Sequence, residues 1–142
     1  MTNKLLARRH RIVRVRSAQH AMAVAETVQA QEQAKAIAHN QQRVARVRSE
    51  LFKSEPLQMG GNFAAYREMA DRLERAGKQL EGALYDAHKL IDEKQGRQVE
   101  ANRDKEIAQR LKERTHAQVE EQREARIAAI PRYRSIQSRG SE

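Results

Sequence analysis

Between residues 63 and 91 the apolar side chains keep a strict rhythm. Phe63, Tyr66, Ala70, Leu73, Gly77, Leu80, Leu84, Ala87 and Ile91 alternate spacings of three and four. That alternation is the seam of a left-handed coiled coil, in which one stripe of a helix faces a partner. A matching stripe precedes it, formed by Ala30, Ile37, Val44, Val47 and Leu51. Between the two stripes, Pro56, Gly60 and Gly61 crowd into the window Glu55 to Gly61, and Pro131 is the only other proline. Proline and glycine are the strongest local stop signals. The pattern therefore predicts a first helix over about 3–54, a turn over 55–61, a second helix over about 62–130 and a tail over 131–142. Asn62 is the expected N-cap of the second helix. Helices of this length, on the order of 75 and 100 Å, stand only by burying a stripe. A short connection makes them antiparallel neighbours. The expected fold is all-α: a long antiparallel two-helix coiled-coil hairpin, one unit over residues 1–142, with an overhanging second helix.

In such a hairpin, facing residues share a constant index sum. One sum pairs Leu51 with Tyr66, Val47 with Ala70, Val44 with Leu73, Ile37 with Leu80 and Ala30 with Ala87. Further from the turn the agreement fades, because the same register sets Glu26 against Ile91 and Ile12 against Lys105. The larger apolar residues there, Val99, Ile107, Leu111, Val119 and Ile127, drift from the seam spacing, as a stutter or a missing partner would make them. The register also sets Leu5 against Lys112. It leaves Glu113–Ile130, about 18 residues or ~27 Å, projecting beyond the first helix.

Composition narrows the functions. The chain has 142 residues, 4% aromatics, 33% charged residues, no Trp and no Cys. Large apolar side chains are too few for a globular core, and the abundance of Ala, Glu, Arg, Gln and Leu suits long helices. Without Cys there is no disulfide framework, Cys-based zinc site or thiol nucleophile. Met1 to Arg16 lacks the apolar stretch of a signal peptide. No run approaches the roughly 20 apolar residues of a membrane span. These features point to a cytoplasmic protein. Gly60-Gly61 lacks the Lys-Ser/Thr of a phosphate loop, and the five His share no ligand spacing. Acidic residues alternate with basic ones as on a solvated, salt-bridged face. No catalytic, cofactor or metal constellation is present in the pattern, and a non-enzymatic binding protein is the expectation.

The charge is uneven. Of a net +9, residues 1–54 carry +8, from 11 Lys/Arg and 3 Asp/Glu. Lys4, Arg8, Arg9, Arg11, Arg14 and Arg16 form a basic N-terminal arm with no acidic companion. Three partners fit it: a nucleic-acid backbone, an anionic membrane surface or an acidic protein. A solvated helix end fits equally. A parallel basic zipper fits poorly, since Gln19, Glu26 and Gln33 stand at its seven-spaced positions. Aromatic platforms for single strands are missing too.

The stretch from Tyr66 to Ala76, Tyr-Arg-Glu-Met-Ala-Asp-Arg-Leu-Glu-Arg-Ala, resembles the start of the second helix in the FliJ family, small coiled-coil proteins of the bacterial flagellar type III export apparatus. The chain length, the Gly-containing turn, the overhang and the charged tail agree with it. The resemblance implies a non-catalytic stalk inserted in the pore of a hexameric export ATPase. It also implies an adaptor to the cytoplasmic region of the export-gate membrane protein and to export chaperones, peripheral to the cytoplasmic side of the inner membrane. The family's gate-contacting strip, carried over to this chain, falls on Val44, Val47, Leu51, Met69, Leu73, Ala76 and Leu80. Stalk proteins of virulence-type secretion systems share the pattern. An unrelated coiled-coil scaffold and a basic nucleic-acid-binding hairpin are the other readings. Met69 and Ala76 lie outside the seam, yet with Leu73 and Leu80 they form a second series at three-four spacing. The apolar face there is either a broad core stripe or wider than one partner helix needs.

Overall fold

The computed structural model describes the backbone of residues 2–58 and 63–140 and the side chains of 3–53 and 63–130. Two helices, α1 (Thr2–Gln58) and α2 (Phe63–Gly140), pack against each other, and the described residues contain no strand. The all-α hairpin is thus the fold. α1 continues through Pro56 to Gln58, which confines the connection to residues 59–62. Asn62, Gly60 and Gly61 lie outside the described residues, and with them the expected N-cap. α2 continues through Pro131, where the expected tail is helical to Gly140. A proline inside a helix removes one ladder donor and crowds the carbonyl four residues back, at a cost of about 3 kcal/mol, which the helices carry at both prolines.

The chain divides into two compact units, residues 1–22 with 99–142, and residues 23–98. In the turn-side unit, 23–98, the shielded positions of α2 keep the expected seam: Tyr66, Ala70, Leu73, Gly77, Leu80, Leu84, Ala87 and Ile91, then Lys94 and Gln98. On α1 the frame differs from expectation. Thr27, Ala30 and Ala34 are buried and Ile37, Gln41 and Val44 are half-buried, whereas Gln33, Asn40 and Val47 are exposed. The positions interleaving Ala30, Ile37 and Val44 are thus Thr27, Ala34 and Gln41. Val47, expected to face Ala70, stands outside the seam at 46% exposure.

The register moves as well. Lys94 Nζ lies 3.1 Å from Glu26 Oε2, and Arg16 Nη1 lies 3.6 Å from Asp104 Oδ2. The first pair sets Glu26 three residues beyond its expected partner Ile91, and the second is displaced by the same amount. The narrower connection explains the displacement. With α1 ending at Gln58 and α2 starting at Phe63, the midpoint between the helices lies later than that of a turn over 55–61, and the facing index sum is twice that midpoint. A hairpin centred on 59–62 sets Val44 opposite Gly77, Ile37 opposite Leu84, Ala34 opposite Ala87 and Ala30 opposite Ile91. Val44, Leu73 and Gly77 line one cleft.

In the other unit the three-four alternation on α2 runs on without a stutter through Ala101, Lys105, Ala108, Lys112, Thr115 and Val119. Val99 and Ile107, expected to drift along a loosened seam, instead point outward at 58% and 51% exposure. α1 supplies Leu6, Arg9, Val13, Arg16 and His20. Thr115 is buried and Val119 half-buried, and Asn3 lines a furrow with Val119 and Arg123. Cover by α1 therefore reaches residue 120, and the uncovered stretch starts at residue 121 rather than at Glu113. Two hydroxyls are absorbed by the helices themselves. Thr27 Oγ1 donates to the Ala23 carbonyl and Thr115 Oγ1 to the Leu111 carbonyl, each at 2.9 Å. Such back-bonding satisfies a buried hydroxyl without a partner across the seam.

Candidate interaction surfaces

Near the connection, α1 and α2 close on each other through aromatic edges. The Phe52 and Tyr66 rings meet at 6.1 Å between centroids with a 74° interplanar angle, a T-shaped pair. The Arg48 guanidinium lies 5.6 Å from the Phe52 centroid. Away from this pair the seam thins. Gly77 has no heavy atom within 4 Å of where a Cβ would stand. Beside it opens a cleft of about 540 Å³, floored by Val44, Leu73 and Gly77 and rimmed by Arg48, Glu74, Lys78 and Glu81. Sequence reasoning counted Gly77 as seam but did not foresee the cleft. The available signal was a glycine among seam leucines with no bulky residue to fill its place.

The seven strip residues beside the turn separate into two groups. Val44, Leu51, Leu73, Ala76 and Leu80 are half-buried, while Val47 and Met69 are exposed at 46% and 52%. Met69 lines a shallow groove with Ala65, Arg72, Leu73 and Ala76 on the outer flank of α2. Arg72 is held beside it by an ion pair to Glu68 at 2.8 Å. The apolar face of α2 therefore extends past the part that α1 covers, and Met69 is outside the seam.

No protein-family model, curated protein or solved structure matches the chain.

The basic arm is not uniform either. Lys4, Arg8, Arg11 and Arg14 are exposed, while Arg9 and Arg16 are half-buried on the seam side. Arg16 bridges to Asp104 and donates to Gln19 Oε1 at 3.1 Å. Arg9 Nε is buried without a protein hydrogen-bond partner. Two of the six cations are thus committed to packing and four face outward. Among the described residues no three His, Asp or Glu side chains converge as metal ligands. Among them, too, no helix is long and apolar enough to cross a membrane. The clefts are open furrows on the flanks of a helix pair.

Proposed function

We propose that this chain is a non-catalytic stalk and adaptor of a bacterial type III export apparatus, of the flagellar kind. The reading rests on one observation above the rest: two long helices paired about one short connection, with the Tyr66–Ala76 stretch that resembles the FliJ family at the base of α2. Two further features agree with it. Met69 and Val47 leave apolar surface uncovered beside the connection, where an adaptor would meet the cytoplasmic region of the export gate. Far from the connection the α2 seam is mostly alanine, threonine and lysine, and α1 sets Leu6, Arg9, Val13, Arg16 and His20 in its own, a slender pairing suited to insertion in a hexameric ATPase pore. Export chaperones are the third class of partner. The protein would work at the cytoplasmic side of the inner membrane, bound there through its partners.

The test is a pull-down from native cell extract with the full chain as bait, followed by identification of the bound proteins. Recovery of a hexameric export ATPase supports the reading, and the gate protein recovered with it distinguishes a flagellar from a virulence-type system. Recovery of neither refutes it and leaves an unrelated coiled-coil scaffold.

A further inference from the structure

The net charge of the chain sits almost wholly in one unit. Residues 1–22 and 99–142 hold 16 Lys/Arg and 8 Asp/Glu, a net +8, whereas residues 23–98 hold 12 and 11, a net +1. The first acidic residue of the chain is Glu26, so the α1 portion of this unit has none. Its outward cations are not alone. Leu5, Val15 and Met22 are exposed at 40%, 54% and 64%, and Ile12 is half-buried. At 100° per residue, Lys4, Leu5, Arg8, Arg11, Ile12, Val15 and Met22 fall within one flank of α1, about 120° wide. Arg8, Arg11, Ile12 and Val15 line a single furrow there with Arg16 and Gln19. Arg16 is tied to Asp104 on α2, and Ile107 lies about one turn beyond Asp104 at 51% exposure.

We propose that this flank of the unit adsorbs directly to an anionic lipid bilayer, with Leu5, Ile12, Val15 and Met22 entering the headgroup boundary and Lys4, Arg8 and Arg11 meeting lipid phosphates. The charge complementarity selects an anionic surface. The apolar side chains select a lipid one. A nucleic-acid backbone is met by cations and polar donors, and single strands by aromatic stacking as well, and α1 has no Phe, Tyr or Trp before Phe52. Exposed valine, leucine and methionine between arginines would stay wet against phosphodiesters. At a bilayer they bury, while the arginine stems lie along the apolar boundary with their heads at the phosphates. The inference does not depend on the export reading, because it uses a different surface and needs no protein partner.

The experiment is flotation of the full chain with vesicles of phosphatidylcholine alone and of phosphatidylcholine mixed with phosphatidylglycerol. The chain has no Trp, so a Val15→Trp variant gives a single reporter of the flank. Binding to the mixed vesicles only, with blue-shifted Trp emission, is the expected result. Each lost cation near the surface is expected to weaken binding about fivefold. Arg8→Gln with Arg11→Gln should therefore weaken it about 25-fold, at unchanged circular dichroism. Absence of flotation with both vesicles overturns the proposal. So does flotation with unshifted Trp emission, which means adsorption by charge without entry. Tighter binding to a DNA duplex than to the mixed vesicles at equal salt overturns it as well, and assigns the flank to nucleic acid.

Discussion

Replacing Gly77 by leucine probes the seam where it is thinnest. Gly77 is half-buried, shares a cleft with Val44 and Leu73 and meets no heavy atom within 4 Å of a built Cβ. A side chain therefore enters without a clash. Two gains are expected. Leucine exceeds glycine in helix propensity by about 0.8 kcal/mol. A leucine buried by half in the cleft against Val44 and Leu73 adds about 1 kcal/mol. Gly96 supplies the matched control, since it is also helical and unobstructed but exposed. Gly96→Leu should gain the propensity part only. At about 3 °C per kcal/mol for a chain of this size, Gly77→Leu should raise the melting temperature by about 5 °C and Gly96→Leu by about 2 °C. Thermal unfolding followed by circular dichroism at about 222 nm, where helix loss is read, measures both. Equal shifts would refute the reasoning, because they would mean that residue 77 faces solvent and that Val44 and Gly77 are not opposed. A decrease for Gly77→Leu alone would mean a closer approach of the helices than the open cleft allows.

Cysteine pairs separate the two registers directly: Val44→Cys with Gly77→Cys should oxidise within one chain faster than Val44→Cys with Leu73→Cys on a non-reducing gel. The reverse order would restore the wider turn, and bridging only between chains would replace the hairpin with a dimer. Met69→Asp should change stability by less than about 0.5 kcal/mol, as a surface position does. On the proposed export role it should also reduce binding to the export-gate cytoplasmic region about tenfold or more, since a carboxylate buried without a counter-charge is costly; unchanged binding in a calorimetric titration removes Met69 from the proposed contact. Of the two cross-helix ion pairs, Glu26→Ala should cost more than Asp104→Ala in denaturant unfolding, although both stay below about 1 kcal/mol. The reason is that the Lys94 side chain is 22% exposed and the Arg16 side chain 43%. Amide exchange should be fastest from residue 121 onward, where cover by α1 ends; uniform exchange from residue 110 would place that end earlier.

The hairpin was legible because its turn-side half is written in large apolar residues. Phe63, Tyr66, Leu73, Leu80, Leu84 and Ile91 leave no choice of stripe on α2, and the structure keeps all but Phe63, which is exposed at 64%. The errors share a cause: a search for large apolar residues follows them wherever they go. Val47 drew the α1 frame one residue off, and Val99 and Ile107 suggested a drift that does not occur. The seam there is Lys94, Gln98, Ala101, Lys105 and Ala108, found only by counting on from Tyr66 and Ala70 by sevens. Small residues and long cations satisfy such a seam because the helices need little volume between them, and a long stem such as that of Lys94 or Arg16 carries its head out to an acid, Glu26 or Asp104, on the other helix. The register error came from Pro56. Proline marks a stop, yet the α1 backbone runs past it to Gln58 and shifts the centre of the hairpin. The Met69 flank could be anticipated from its three-four series with Ala76. The Ile12–Val15 flank could not, since its meaning depends on which arginines the seam withdraws from solvent.

The uneven filling of the seam also sets an order of assembly. Closing the first contacts across residues 59–62 joins segments near in sequence, and the loop entropy lost there is small. The Phe52–Tyr66 edge contact and the Val44 and Leu73 side chains are on hand to reward that closure at once. Each later layer then adds to an existing pair, so no long loop has to close in one step. The layers added last, around Ala101, Ala108 and Thr115, return the least for the chain they fix. Folding by this route is a zipper that starts at the connection and runs towards the termini. Substitutions at Tyr66 or Leu73 should slow its forward rate, and those at Ala108 or Thr115 should chiefly hasten its unfolding.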